Sequence, residues 1–458
     1  MGIEFTTEHS GSQELTLKEL CSQIKEYNRI DPADFERFRI KRGLRNADGT
    51  GVMTGISNVC SVDGYYIDDG EKIPREGRLN FRGISMSDIV AGCEREDRFG
   101  FEEIVWLLLF GTLPDANQLD SFTRLLAVNR ELPDDFIEDM IMKAPSPDIM
   151  NKLARSVLAL YSYDENPDDT SVENVLRQTI QIIAKMPAIM AYAYQVKRRH
   201  YYHKSMYIHQ IKPDHTTAQA VLNSIRSDRK FTLEEAKLLD VCLMVHAEHG
   251  GGNNSTFANR VLTSSGTDTY SSIAAGIGAL KGPKHGGANI KVTDMVSHIK
   301  NGVDDISNEG QVADFLAKII KKEAGDGSGL IYGMGHAIYT LSDPRAKILK
   351  AHAKSFSAGT EFEAEFKLLD LIEKLTPQIF AKYKGEKKVM CANVDLYSGL
   401  VYKMLAIPED LFTPIFTVAR VAGWSAHRIE ELLTGGRIIR PAYKNLNKPD
   451  KYVPLSDR

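Results

Sequence analysis

Apolar residues recur at helical spacing along most of this 458-residue chain, and that periodicity restricts it to a mainly α-helical fold. Leu176, Ile180 and Ile183 stand at i, i+4 and i+7. Ile273, Ile277 and Leu280 form a second stripe, and Val312, Phe315, Leu316, Ile319 and Ile320 a third. The second stripe shares its helix with Ala274, Ala275, Gly276 and Gly278, small enough to let a neighbouring helix approach closely. Thr232 to Glu235 reads as a capping box opening the helix that ends in HAEHGG. Pro187 should kink or interrupt the helix it falls in. Strand signals cluster between Asp48 and Arg82, where D-G pairs punctuate short runs such as YYID and predict small hairpins. No strand–helix alternation and no fixed-period repeat is present, which argues against a doubly wound sheet or a solenoid. The expected fold is mainly α, with a minor β element near the N-terminus.

Composition narrows the classes further. A hydrophobic share of 43% and a charged share of 26% describe an ordinary soluble chain, long enough for two or three domains. A net charge of -4 gives no chain-wide pull towards nucleic acid or anionic lipid. Cys21, Cys60, Cys93, Cys242 and Cys391 are scattered without a CxxC pair, which fits a reducing cytosol better than a disulfide framework. No apolar run reaches membrane-spanning length, and the N-terminal MGIEFTTEHSGSQE is too acidic for a signal sequence. Gly2 and Thr6 match a loose myristoylation pattern that, without a polybasic neighbour, reads as chance. VKRRHYYHK, from Val196 to Lys204, mixes bases and aromatics, but Lys and Arg also suit the end of a helix. The expectation is a cytoplasmic protein with no nucleic-acid or membrane partner.

Several ionisable residues sit among small ones. KGPKHGGAN leaves His285 between a helix-stopping Gly282–Pro283 and the pair Gly286–Gly287, so it can lie close to backbone and to a ligand. GMGHAIYTLSDPR places His336 behind Gly333, Met334 and Gly335 and ahead of Arg345. NVDLYSG sets Asp395 between Val394 and Leu396, surroundings that either pair a carboxylate or raise its pKa towards general-base work. Taken singly, these read equally as a satisfied core histidine, a capped turn and a helix N-cap. HAEHGGGNNST puts His246 and His249 on one helical face, but Glu248 is misplaced for a His-Glu-x-x-His zinc site, so an organic anion is preferred to a metal. Arg345, Arg420 and Arg440 stand outside charge runs, where a guanidinium can grip a carboxylate bidentately.

Together, LKGPKHGGAN, GMGHAIYTLSDPRA, NVDLYSG, ARVAGW and IRP, preceded by LNFRGISMSDI and FEEIVWLLLFGTLP, resemble the citrate synthase family from about Leu79 to Tyr443. The resemblance implies a two-domain helical homodimer. A large domain would take residues 1–285 and, with the C-terminal tail, 400–458; a small domain would take 286–399. It further implies a si-type acyltransferase of the tricarboxylic acid cycle, joining acetyl-CoA to oxaloacetate and hydrolysing citryl-CoA to citrate and CoA, with no cofactor besides the acetyl-CoA substrate. His285 would then bond the thioester carbonyl, Asp395 take the methyl proton and His336 polarise the ketone. His249, Arg345, Arg420 and Arg440 would hold oxaloacetate or citrate, with Arg440 arriving from the partner subunit. Asn253 and Ser255 match nearby positions, and Gly333, Met334 and Gly335 the CoA-binding loop. Thr340 stands where the family usually carries Lys or Arg for CoA phosphates, and Gly250 replaces a common acidic residue. The alternatives are 2-methylcitrate synthase acting on propionyl-CoA, a catalytically silent acyl-CoA-binding dimer, and a metal-dependent hydrolase built on His246 and His249.

Overall fold

Strand-forming residues gather where the D-G punctuation placed them. In the computed structural model, which describes residues 17–384 and 390–458, β1 (Cys60–Asp68), β2 (Glu71–Phe81) and β3 (Ile84–Ser85) form an antiparallel sheet in that order. Cys60 faces Phe81 and Asp68 faces Glu71, with a bulge between Asp63 and Tyr65. The connection is Asp69–Gly70, both at positive φ (46° and 82°), the backbone a two-residue hairpin turn needs. Gly2 and Thr6 lie outside the described residues.

The chain divides into a unit ending at Ile56 and one running from Ser57 to Arg458. The first contains α1 (Leu17–Tyr27) and α2 (Pro32–Arg37); Asp31 caps α2 by accepting from the Ala33 N–H, and Pro32 occupies the first turn, where no donor is needed. The second holds the sheet and the remaining helices. These are α3 (Met86–Arg95), α4 (Phe101–Phe110), α5 (Ala116–Val128), α6 (Ile149–Leu160), α7 (Val172–Tyr202), α8 (Thr217–Ile225), α9 (Leu233–His246) and α10 (Asn254–Thr263). They continue with α11 (Thr269–Lys281), α12 (Ala288–Gly302), α13 (Glu309–Ile320), α14 (Pro344–Ser357), α15 (Glu363–Lys384), α16 (Asp395–Met404) and α17 (Phe412–Thr434).

Two of these are buried on all sides along much of their length and form the centre of the second unit. Every residue of α7 from Met186 to Lys197 is buried, as is every residue of α17 from Phe412 to Ile429, and the two helices pack on each other. Pro187 does not interrupt α7, contrary to the sequence expectation: burial on all sides keeps the 31-residue helix in place despite the missing N–H. The small residues of α11 divide in function. A Cβ on Gly276 would lie 2.9 Å from the Trp424 ring of α17, so glycine is required there, whereas Gly278 faces open space. The capping box opening α9 forms as read, with Glu235 N–H on Thr232 Oγ1 (3.1 Å) and Thr232 N–H on Glu235 Oε2 (2.8 Å). VKRRHYYHK closes α7, where Lys197 Nζ and the Tyr202 hydroxyl both reach Asp410 (2.6 and 2.7 Å), a structural use of that charge. Among the described residues no helix is long and apolar enough to cross a membrane.

Candidate active site

The end of α11 decides where His285 goes. His285 N–H bonds Gly282 O and Gly286 N–H bonds Leu280 O, both at 2.9 Å, folding the chain back before α12 starts. A Cβ on Gly286 would fall 2.4 Å from Leu280 O, so only glycine permits this reversal. His285 Nε2 accepts the Ser255 N–H (3.3 Å) and lies 2.9 Å from Ser255 Oγ, which itself receives Trp424 Nε1–H (3.2 Å). An accepting Nε2 leaves the ring proton on Nδ1. Burial, helped by the charge of Arg420, pushes the His285 pKa down to about 4, so the ring is a neutral donor near pH 7.

A short two-stranded contact places His336 and Asp395 together. Met334 and Ala392 form an isolated antiparallel bridge; Gly335 N–H bonds Cys391 O (2.7 Å) and Asn393 N–H bonds Gly333 O (2.9 Å). Gly333 is at φ 79° with its absent Cβ 2.9 Å from Leu396 Cα, so the approach needs both a left-handed residue and no side chain. Asn393 joins the halves: Nδ2 donates to Gly335 O (2.9 Å), and Oδ1 accepts the Asp395 N–H (3.0 Å). His336 Nδ1 accepts the N–H groups of Ile338 (3.1 Å) and Tyr339 (3.0 Å), which puts its proton on Nε2. Asp395 opens α16 and is not its cap. It keeps some exposed surface, yet desolvation raises its pKa to about 7, with Asp343 adding to the rise and Arg345 and Arg420 opposing it.

The third strand of the site is the C-terminal end of α9. His249 is buried, its Nε2 3.2 Å from the Tyr339 hydroxyl and its ring 5.1 Å from that of His336 in an edge contact. Burial holds its pKa well below the ordinary value, with Arg345, His336, Arg420 and His285 all pushing the same way. Arg345 is 4% exposed and gripped bidentately by Asp343 (Nε–Oδ1 3.0 Å, Nη2–Oδ2 2.7 Å), which outweighs burial and keeps the guanidinium charged. Arg420 differs. It is 1% exposed, donates from Nε to His246 O (2.7 Å), and has no partner for Nη2 among the described residues. Burial, opposed by Glu248 and reinforced by Arg345, lowers its pKa to about 10. A buried cation with an unspent donor, beside neutral imidazole donors, is built for an anion with several oxygens.

Beneath these groups, Glu248 Oε1 meets His427 Nε2 at 3.0 Å with both side chains fully enclosed. Burial opposes both charges, but each outweighs it for the other, lowering the Glu248 pKa and raising that of His427. Glu248 lies against Gly423, where a Cβ would be 1.9 Å from Oε2.

The electrostatic influences on His249 and Asp395 join His249, His285, His336, Arg345, Arg420 and Asp395 in one cluster. Asn253 is spent on structure, capping α10 through Oδ1 to Thr256 N–H (3.0 Å) and holding Gly250 O through Nδ2 (2.6 Å). Ser255 touches His285 directly. Arg440 is exposed in the extended tail and is not brought to the cluster of its own chain; Ile439 N–H is pinned to Ser264 Oγ (3.0 Å). The two departures from the family pattern have local causes. Gly250 adopts φ 82°, where an acidic side chain would be strained, and the Thr340 hydroxyl donates to Gly64 O and Arg75 O of the hairpin. The His246 ring is buried 4.3 Å from that of Phe416 with both nitrogens unpartnered, and no group of three His, Cys, Asp or Glu among the described residues could hold an ion. Sequence reasoning passed over Asp343, Tyr339 and Asn393. Asp343 was readable, since Asp-Pro is a helix-start signal two residues before Arg345.

Comparisons with known proteins identify the family. Residues 47–442 match the family model described as citrate synthase, C-terminal domain. Citrate synthase of Haloferax volcanii is 31% identical over 431 residues, covering 92% of this chain and 99% of the relative. 2-Methylcitrate synthase 1 of Corynebacterium glutamicum is 30% identical over 416 residues, covering 89% of this chain and 98% of the relative. The solved ternary complex of carboxymethyl coenzyme A and oxaloacetate with citrate synthase from the archaeon Thermoplasma acidophilum superposes with a TM-score of 0.74 at 27% identity, covering 92% of this chain and 99% of that one.

Proposed function

The chain belongs to the citrate synthase family, acyltransferases that condense acetyl-CoA with oxaloacetate, and on that premise we propose how its own residues divide the reaction. Asp395 removes a proton from the acetyl methyl group while His285 donates Nδ1–H to the thioester oxygen, where negative charge grows. The resulting nucleophilic carbon attacks the ketone of oxaloacetate, whose oxygen takes a hydrogen bond and then a proton from His336 Nε2. Water then cleaves citryl-CoA to citrate and CoA. Arg420 and Arg345, with His249, hold the carboxylates of oxaloacetate. Gly333, Met334 and Gly335 border the CoA path, and acetyl-CoA enters as substrate with no further cofactor.

One observation carries this assignment. Hydrogen-bond partners place the His285 proton on Nδ1 and the His336 proton on Nε2, while Asp395 titrates near neutrality. Two oriented donors and a base poised near pH 7 are what an enolisation followed by carbonyl addition requires.

The wider organisation follows the same reading. The site lies between a small domain, 286–399, and a large domain formed by 1–285 and 400–458. Two chains form a homodimer in which Arg440 completes the neighbouring site, a role supported by its exposure in the extended tail. The unpaired state of all five cysteines supports a reducing, cytoplasmic setting, and the family's condensation reaction is the basis for a place in the tricarboxylic acid cycle. A second reading, that propionyl-CoA is also accepted, is favoured by the similarity to a 2-methylcitrate synthase, because one methylene in an apolar pocket discriminates by only about 1–3 kcal/mol. Thiol release measured with oxaloacetate and either acyl-CoA tests both. Oxaloacetate-dependent release from acetyl-CoA is expected, and release from neither thioester would overturn the assignment.

A further inference from the structure

We propose that Tyr339 is a positioning residue for oxaloacetate binding: seated by the β1–β2 hairpin, it fixes the tautomer of His249 and the ring orientation of His336 at once. The proposal rests on the reading that His249 and His336 face oxaloacetate.

Tyr339 is 2% exposed and touches several of the substrate-facing groups. Its backbone N–H is one of the two donors on His336 Nδ1 (3.0 Å), and its ring stacks on the His336 ring at 4.6 Å and 28°. Its ring also meets the edge of His249 at 5.5 Å, and Arg345 Cζ lies 5.8 Å from its centroid. The hydroxyl has one partner among the described residues, His249 Nε2 at 3.2 Å. Burial, with Asp343 among the lesser causes and against the pull of Arg345, keeps the phenol protonated. A buried hydroxyl that accepted from Nε2 would leave its own proton without an acceptor, so it donates. His249 therefore carries its single proton on Nδ1, the nitrogen that serves as donor to an incoming oxygen.

The hairpin makes the seat. A Cβ on Gly64 would lie 2.6 Å from Tyr339 Cα, and one on Gly77 would lie 2.8 Å from Tyr339 Cδ1 and 2.1 Å from Ser342 O. Glycine at both positions lets β1 and β2 close directly on the loop. Thr340 and Ser342, which follow it in the chain, are tied to Gly64 O and to Glu76 of the same hairpin. The ring is thus held between the hairpin backbone and His336, with its hydroxyl aimed at His249.

Tyr339→Phe removes the hydroxyl and keeps the stack. It should raise the KM for oxaloacetate about five- to ten-fold, as for one neutral hydrogen bond, and leave the KM for acetyl-CoA within about two-fold. Tyr339→Leu, which also loses the stack, should lower kcat as well. In 15N-histidine-labelled protein, His249 of the wild type should show protonated Nδ1 and bare Nε2, and the Phe variant should lose that single-tautomer signature. A wild-type spectrum with protonated Nε2 overturns the proposal whether or not the variants fold, as does an unchanged oxaloacetate KM in Tyr339→Phe. Absence of oxaloacetate-dependent thiol release in the wild type would instead remove the functional reading beneath it.

Discussion

Asp395, the proposed base, illustrates how a side chain suited to chemistry can work against the fold. Its folded-state pKa of about 7 stands above the ~3.9 of an unfolded aspartate, so the native state holds a proton that the unfolded chain releases. Stability is therefore lost as pH rises from about 4 through 7. Asp395→Asn should melt higher than the wild type at pH 8 and show no such gain at pH 4. The same substitution should reduce turnover by ~10²–10⁴ while leaving oxaloacetate binding close to normal, and wild-type kcat/KM for acetyl-CoA should fall as pH drops below about 7. Retention of more than a few per cent of the rate would rule Asp395 out as the base. Arg420 makes the complementary case. Arg420→Met should weaken oxaloacetate by about 3–5 kcal/mol in calorimetric titration, by analogy with a broken buried pair, whereas the ligand-free protein should lose only the Nε bond to His246 O, about 0.5–1.5 kcal/mol in denaturant unfolding. Among the described residues its Nη2 has no partner, so the substitution removes no further bond from that nitrogen.

Among the elements, the contact between Gly333–Gly335 and Cys391–Asn393 matters most, since it joins the turn bearing His336 to the first residue of α16. Asn393→Ala removes a bond on each side of that contact. It should cost about 1–3 kcal/mol in denaturant unfolding and should slow turnover at saturating substrates; full turnover in a correctly folded variant would show that the clasp does not set the Asp395–His336 arrangement. Helices here were legible from a capping box, as in α9, or from an apolar stripe, as in α11 and α13. Pro187 misled because its effect depends on what surrounds the helix, and a local rule contains no surroundings. Asn393 carried no local signal at all: its two partners are Gly335, distant in sequence, and a backbone N–H two residues on.

At the scale of the whole molecule, the assignment predicts shared sites and ordered binding. Asp395→Asn and Arg440→Ala homodimers should each be nearly inactive. A mixed dimer would carry both lesions in one site and neither in the other, so tag-purified hybrids should recover up to half of the sites. Hybrids as inactive as their parents would remove Arg440 from the neighbouring site. Oxaloacetate, held by His336 and Arg420 from the two proposed domains, should favour their closure and so raise the affinity for acetyl-CoA. An acetyl-CoA affinity unchanged by saturating oxaloacetate would contradict that order.

What the sequence determined by itself is the helical class and the position of the hairpin; it also proposed the reacting groups. The first two are written in short-range pattern, 3.6-residue periodicity and a D-G turn between β-formers, whereas the reacting groups were proposed from several motifs standing in one family's order. The protonation state of each group was decided only by tertiary structure. His285 is a neutral Nδ1 donor because Ser255, thirty positions away, supplies an N–H to Nε2. Asp395 titrates near neutrality because the folded chain desolvates it, with Asp343 adding to the rise and two arginines opposing it. Arg345 is paired and Arg420 is not, although both read alike as isolated arginines in the sequence. Tautomer, pKa and the availability of a donor all depend on which atoms lie within about 3–6 Å, and the chain reaches those distances only by folding.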